Sequence, residues 1–412
     1  GSSSVAVALS GAGAGVTNTV DGQVEAGVRG ADMLSSQSLV AAGPISIAAT
    51  HGASIASDVV AAAISVGGSG GGLAGSAAVA AATADNAVGT VVWAGIADSD
   101  ASAQGGVALA ADNASTIRSS VTAAALSVAA SSGLSLSAGV AVTVAGNDDH
   151  SSTTAEIAGS TLDAGGNLTL AADNSASITA IVTSASLSLA VGSTGSMSVA
   201  FAVAAASNSL GAGTYALIDA SRIDNAASVS VESDFDASIL VVATAATASV
   251  AGDGTLALSL TGAGATASNT VGATTTARIG ADSTVNASGP VRVAASDHSS
   301  VTSIVTAAAL SVSGSSTAAI SGAASVALAD NIQNGSTSAV IEDSDIVAGG
   351  AVEVEATNAS SVRVVGTAAV LSVAGSDGLS LSGSGSGAKA SNTLSATTEA
   401  LISGADVDAA GA

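Results

Sequence analysis

The residues of this chain that could do chemistry are mainly acids. Asp98 and Asp100, Asp148 and Asp149, Glu342 with Asp343 and Asp345, and Asp406 and Asp408 all fall at expected turns. Clustered carboxylate and carbonyl oxygens are what calcium binds, so Asp98, Asp100, Asp343 and Asp345 are the candidate ligands for that ion. The acids are expected to occupy different positions of a repeat, because stacked like charges repel, and so to form a solvated acidic surface. A Gly-Gly-x-Gly-x-Asp calcium repeat is absent; Gly252-Asp253-Gly254 and Ser376-Asp377-Gly378 only echo it. His51, His150 and His298 stand far apart with no second His at ligand spacing, which predicts exposed turn residues rather than a metal or catalytic cluster. Ser is too frequent for a Ser beside a His or Asp to define a triad, and there is no nucleophile-elbow pattern. Trp93 and Tyr215 occupy one outward position two repeats apart and are the candidates for stacking on sugar rings.

The elements that hold these residues repeat. Asn recurs at Asn18, Asn86, Asn147, Asn208, Asn269, Asn331 and Asn392, with intervals of 68, 61, 61, 61, 62 and 61 residues. Ten residues after each Asn comes Val28, Ile96, Ile157, Ile218, Ile279, Ile341 or Ile402, and two before that an Ala, among them Ala94 and Ala155. A Thr column (Thr153, Thr214, Thr275, Thr337, Thr398) shares this parity, while Glu25, Trp93, Thr154 and Tyr215 alternate with it. Period two sorts a uniform inward set from a variable outward one, as a strand does and a helix does not. The inward Thr residues are expected to hydrogen-bond along the stack.

A second stretch recurs as Val121 to Val128, Ile181 to Leu189 and Ile304 to Val312, with a Ser column at Ser65, Ser127, Ser188, Ser249, Ser311 and Ser372. Both of its parities are apolar, which predicts a strand covered on both faces, with an Ala-rich helix as the alternative. Turn signals fall at Ser131 to Gly133, Gly146-Asn147-Asp148, Ala164 to Gly166 and Asp173-Asn174. Stacked amides can bond up a ladder only at the strand spacing of about 4.8 Å, so seven identical Asn favour one winding per 61 residues over three rungs of about 20.

The expected fold is therefore all-β: a single β-solenoid over residues 1–412 of about seven 61-residue repeats, with close-packed sheets rich in Ala, Ser and Gly and a surface loop inserted at 29–45. With four aromatics in 412 residues, the space between layers must be narrow. Seven basic against 31 acidic residues argue against nucleic-acid or anionic-lipid partners, and the lack of Cys excludes disulfides. No apolar run reaches the roughly 18 residues of a membrane span. The chain begins and stops inside a repeat, which predicts continuation into further windings or end-to-end stacking on itself.

The Ala-Leu-Ser-Val stretch, the Ala-x-x-Asn turn, the Ala-x-Ile strand and the Gly-Gly or Ala-Gly turn before Val-x-Val-x-Ala, as at Ala348 to Ala356, together resemble the repeats of large bacterial filamentous-haemagglutinin-like and leukotoxin-like adhesins. The resemblance covers nearly the whole chain and implies a secreted or cell-surface β-solenoid. It carries over no binding site. The function expected is non-catalytic: a stalk, fibre or filament for adhesion, aggregation or matrix, without a required cofactor, contacting itself and surface glycans or other cells. The alternatives are a calcium- or glycan-binding surface module and a polysaccharide-acting β-helix enzyme.

Overall fold

Val, Ile and Thr at alternate positions, Ala and Ser between them, and Gly or Ser pairs at intervals favour extended chain broken by tight turns. In the computed structural model, the described residues, 4–30 and 38–411, form 31 strands and no helix. The sheets are parallel and stacked in register, as a β-solenoid requires.

One winding shows the path. Leu134–Asp149 and Ser152–Ala158 run in line as one layer, sheet A; Thr161–Ala164 closes a narrow end in sheet B. Leu168–Asn174 in sheet C and Ser177–Val191 in sheet D then return as the opposite layer. A turn at residues 192–194 delivers the chain to Gly195–Leu210, parallel to Leu134–Asp149. Asn86 pairs with Asn147, Asn147 with Asn208 and Asn208 with Asn269, so spatial neighbours are one full repeat apart. Each repeat is one broad winding that advances the axis by about 4.8 Å.

The first interval carries its surplus early. Val28 pairs with Ile96, whereas Leu39 pairs with Ala101, so six of the seven extra residues lie between Arg29 and Leu39; the seventh lies in the turn between Ser69 and Leu73, since Ser69 pairs with Ser131 but Leu73 with Leu134. Within the loop expected at 29–45, residues 31–37 lie outside the described residues. Leu39–Ala41 is a strand of sheet B and Ile45 opens a strand of sheet C, so these residues belong to the winding.

The winding is wide and thin. Gly72–Ala97 is one unbroken strand of 26 residues, which spans roughly 85 Å. Across the layers, Ser184 Oγ donates to the backbone oxygen of Ala141 at 2.8 Å, and Ser65 Oγ to that of Ala8 at 2.9 Å. A seryl side chain ends one atom beyond Cβ, so these layers lie much closer than the roughly 10 Å of ordinary stacked sheets. Small side chains are thus a steric requirement at these close contacts between sheets A and D, whereas larger ones such as Ile96, Leu109 and Phe235 are buried elsewhere in the interior.

That interior holds two apolar cores, one between sheets A and D and one enclosed by the short strands of A, B and C. Between them runs a polar seam. The sheet D strands differ from expectation: the inward parity is buried, but the outward parity is half-buried to exposed, with Leu187 and Leu310 among the exposed residues. Among the described residues nothing packs on that outer face, because the solenoid is two layers thick there.

Candidate functional site

The Asn column sits in the seam at the end of the long sheet A strands, aimed inward. Asn147 lies within Leu134–Asp149 and not in a turn, correcting the turn expected at Gly146-Asn147-Asp148; the chain breaks at His150 and Ser151 instead. The amide is satisfied by its stacked neighbours, so the residue needs no turn to use its side chain. Nδ2 of each Asn donates to Oδ1 of the next: Asn18 to Asn86 at 2.8 Å, Asn86 to Asn147 at 2.9 Å, then Asn208 and Asn269, each at 2.7 Å. Asn269 continues to Asn331 at 2.7 Å and Asn331 to Asn392 at 2.9 Å. Hydroxyls of the facing sheet D strands join in: Ser57 donates to Asn86 Oδ1 at 2.6 Å, and Asn86 donates to Ser119 Oγ at 2.7 Å. Ala94, Ala155, Ile96 and Ile157 are fully buried beyond the seam.

A second ladder crosses between the layers. Ser127 Oγ donates to Ser76 Oγ, Ser137 to Ser127, Ser188 to Ser137 and Ser198 to Ser188, each at 2.9 Å. The zigzag resumes through Ser259, Ser311, Ser321 and Ser372. Its sheet D half is the Ser column expected from the sequence; its sheet A half (Ser76, Ser137, Ser198, Ser259, Ser321) recurs at the same interval and is a second signal the sequence carries. Thr153, Thr214, Thr275 and Thr337 are buried as expected, while Thr398 in the last winding is exposed; the column is not hydrogen-bonded along the stack, and Thr153, Thr214 and Thr275 have unpartnered Oγ1 atoms. Stacked within one sheet, Thr hydroxyls stand about 4.8 Å apart, too far for an O–H···O bond, whereas the Ser zigzag halves that step through the opposite layer.

The seam's other column is His51, Asn113, Asn174, Phe235, Asp297 and Asn358. His51 ends the strand Ile45–His51, half-buried, with Nδ1 3.1 Å from Asn113 Oδ1, so it is not the exposed turn residue expected. His150 and His298 are exposed, 3.5 Å from Asp148 and 3.6 Å from Asp234. The three do not converge. Phe235 interrupts the amide contacts, and Asn174 Nδ2 is left without a partner.

The acids do share columns, contrary to expectation. Asp112, Asp173 and Asp234 stack in consecutive windings, and Asp345 pairs with Asp406. Burial, then Asp234, Asp112 and Asp236, pushes the Asp173 carboxyl above its ordinary range. Its proton is thus held more tightly in the folded chain than in the unfolded one, and folding loses stability as pH rises from 3.8 through the raised value. Asp173→Asn is expected to raise Tm by about 1 °C at neutral pH, a gain that should vanish in acid; thermal melts across pH check it.

Asp98 and Asp343 occupy one turn column with Gly30, Gly159, Ala220, Ala281 and Gly404, all at positive φ. Asp tolerates the left-handed conformation better than most residues, which accounts for its recurrence there. Asp98 and Asp100 lie four winding steps from Asp343 and Asp345, roughly 19 Å along the axis, so the two pairs do not form one site. Asp282, Asp343 and Asp345 line a shallow recess. Among the described residues no group of three or more His, Cys, Asp or Glu is arranged to hold a metal ion.

Trp93 points outward, as its parity dictates, yet is only 7% exposed. Its ring lies flat over Gly27 and Gly95, Arg29 stacks on it at 3.9 Å, and Nε1 donates to Glu156 at 2.9 Å. The face a sugar would use is therefore covered. Tyr215, half-buried, folds over Gly213 and does not adjoin Trp93. A Cβ on Gly95 would enter the Trp93 ring. Gly95→Ala is expected to lift the only Trp off the sheet, at a cost of about 1–3 kcal/mol, and to shift its fluorescence to longer wavelength.

Comparison of the chain with protein-family models, with curated proteins and with solved structures finds no match.

Proposed function

We propose that this chain is extracellular structural material: about seven 61-residue windings of a β-solenoid that serves as a stalk, fibre or filament for adhesion, aggregation or matrix. The observation that carries the reading is the unbroken Asn ladder, in which one residue type makes one contact from Asn18 to Asn392. Such repetition supports a mechanical role, since each winding buries and bonds its neighbour in the same way. The resemblance to adhesin repeats and the acidic composition support placement at the cell surface or outside it.

The geometry adds a shape to this reading. Sixty-one residues advance the axis by only about 4.8 Å but extend roughly 85 Å across it, so the material is a broad tape. Asn392 Nδ2 and Asn18 Oδ1 are the donor and acceptor ends of the ladder, which suits parallel addition of a further winding, from this chain or another copy. Electron microscopy of the purified chain, with fibre diffraction, tests it. Tapes roughly 85 Å wide with a 4.8 Å axial repeat are expected. Particles that remain single at every concentration would sink the end-to-end form.

A further inference from the structure

The charge of this molecule is unevenly placed. Asp58, Arg118 and Arg363 are the charged residues on the outer face of sheet D, all toward the strand starts, while the rest of that face is uncharged, with Thr, Ala, Leu and Val prevailing in the stacked columns that follow. The other acids and most Arg residues lie elsewhere, many on the short-strand half. The most prominent column is Ile64, Leu126, Leu187, Leu310 and Leu371, with Leu187 44% and Leu371 57% exposed. Ala248 completes it. Two residues before each of these stands an Ala, from Ala62 to Ala369.

We propose that this face pairs with the same face of a second copy, side by side, with the two solenoid axes parallel. Three observations select a second copy as the occupant. Six strands about 4.8 Å apart and the four columns from Thr to Val make a face on the order of 800 Å², which is what each partner of a stable complex typically buries. The face is also self-complementary. A two-fold axis parallel to the solenoid and midway between the Ala and Leu columns sets each Leu opposite an Ala of the other copy, large against small. The same axis leaves both copies at equal height, so the shared axial spacing keeps every winding in register. Finally, almost none of the net charge of −24 lies on this face, so little like-charge repulsion enters the contact.

Lateral pairing does not depend on the filament reading, and the two fail differently: end-to-end growth gives a series of lengths, lateral pairing a single doubling. Sedimentation equilibrium of the full chain at micromolar concentration is expected to give twice 37.6 kDa. Leu187→Glu combined with Leu310→Glu should return it to 37.6 kDa with circular dichroism and Tm retained, because both side chains point out of the fold. Val203→Glu, on the outer face of sheet A, should leave the dimer intact. A wild-type monomer, a double variant that still dimerises while folded, or a dimer lost in Val203→Glu would each overturn the proposal. Should the double variant misfold, Leu187→Lys paired with Leu310→Glu decides it: a folded dimer overturns the proposal and a folded monomer supports it.

Discussion

Asn208→Ala is expected to lower stability by about 3 kcal/mol, although it changes one small polar side chain. Asn208 accepts from Asn147 Nδ2 at 2.7 Å and donates to Asn269 Oδ1 at 2.7 Å, and is 2% exposed. Removing its amide leaves a buried donor below and a buried acceptor above, each costing about 1–3 kcal/mol unpaired. The position matters. Opposite Asn86 stand Ser57 and Ser119, which can take up the slack, whereas at the next two steps sheet D supplies Ala180 and Val241. Asn86→Ala should therefore cost noticeably less. Asn208→Asp should be worse than Asn208→Ala at neutral pH, since a buried carboxylate would face Asn269 Oδ1 with no proton to give. Protonation restores the donor, so this variant should regain stability as pH falls. Hydrogen exchange resolved by peptide should place the loss in the strands Leu134–Asp149, Gly195–Leu210 and Leu256–Val271, because coupling in a solenoid passes between neighbouring windings.

That ladder was legible in the sequence because one geometry repeats: a residue that stacks on its own copy recurs at the period of the winding. The same logic exposed the buried Ala and Ile columns and the need for one winding per repeat. It misled where composition stood in for geometry. Gly146-Asn147-Asp148 has the residues of a turn, yet the inward amide keeps it in a strand. Trp93 lies on the parity expected of it, but parity tells which side a residue takes and not whether it is covered. Its concealment depends on Gly27, one winding away, and on Gly95 beside it. The apolar outward parity of sheet D has the composition of a buried second face, whereas among the described residues nothing covers it. The partner such a face needs need not be in the same chain.

The narrow gap between sheets A and D sets the other large effect. Ser188→Leu is expected to cost about 3 kcal/mol or more, at or beyond the upper end for overpacked cores, while Ser188→Ala should cost about 1 kcal/mol. Ser188 is fully buried, with Ser137 Oγ and Ser198 Oγ on the opposite layer each 2.9 Å from its hydroxyl. Alanine fits that space and removes two hydrogen bonds, leaving the Ser198 hydroxyl without its acceptor. Leucine does not fit. The opposite backbone lies just past those hydroxyls, and Ala190 and Ser186 flank Ser188 on the same inward face. Relief can come only by prising the layers apart, which would also stretch the contact of Ser184 Oγ with the Ala141 carbonyl. In an ordinary sandwich with layers roughly 10 Å apart the order would reverse, since leucine fills such a core and a lost seryl bond matters more. Urea melts of the two variants should therefore measure the layer spacing itself: the ranking Ser188→Leu far below Ser188→Ala holds only if the sheets are as close as the seryl contacts place them.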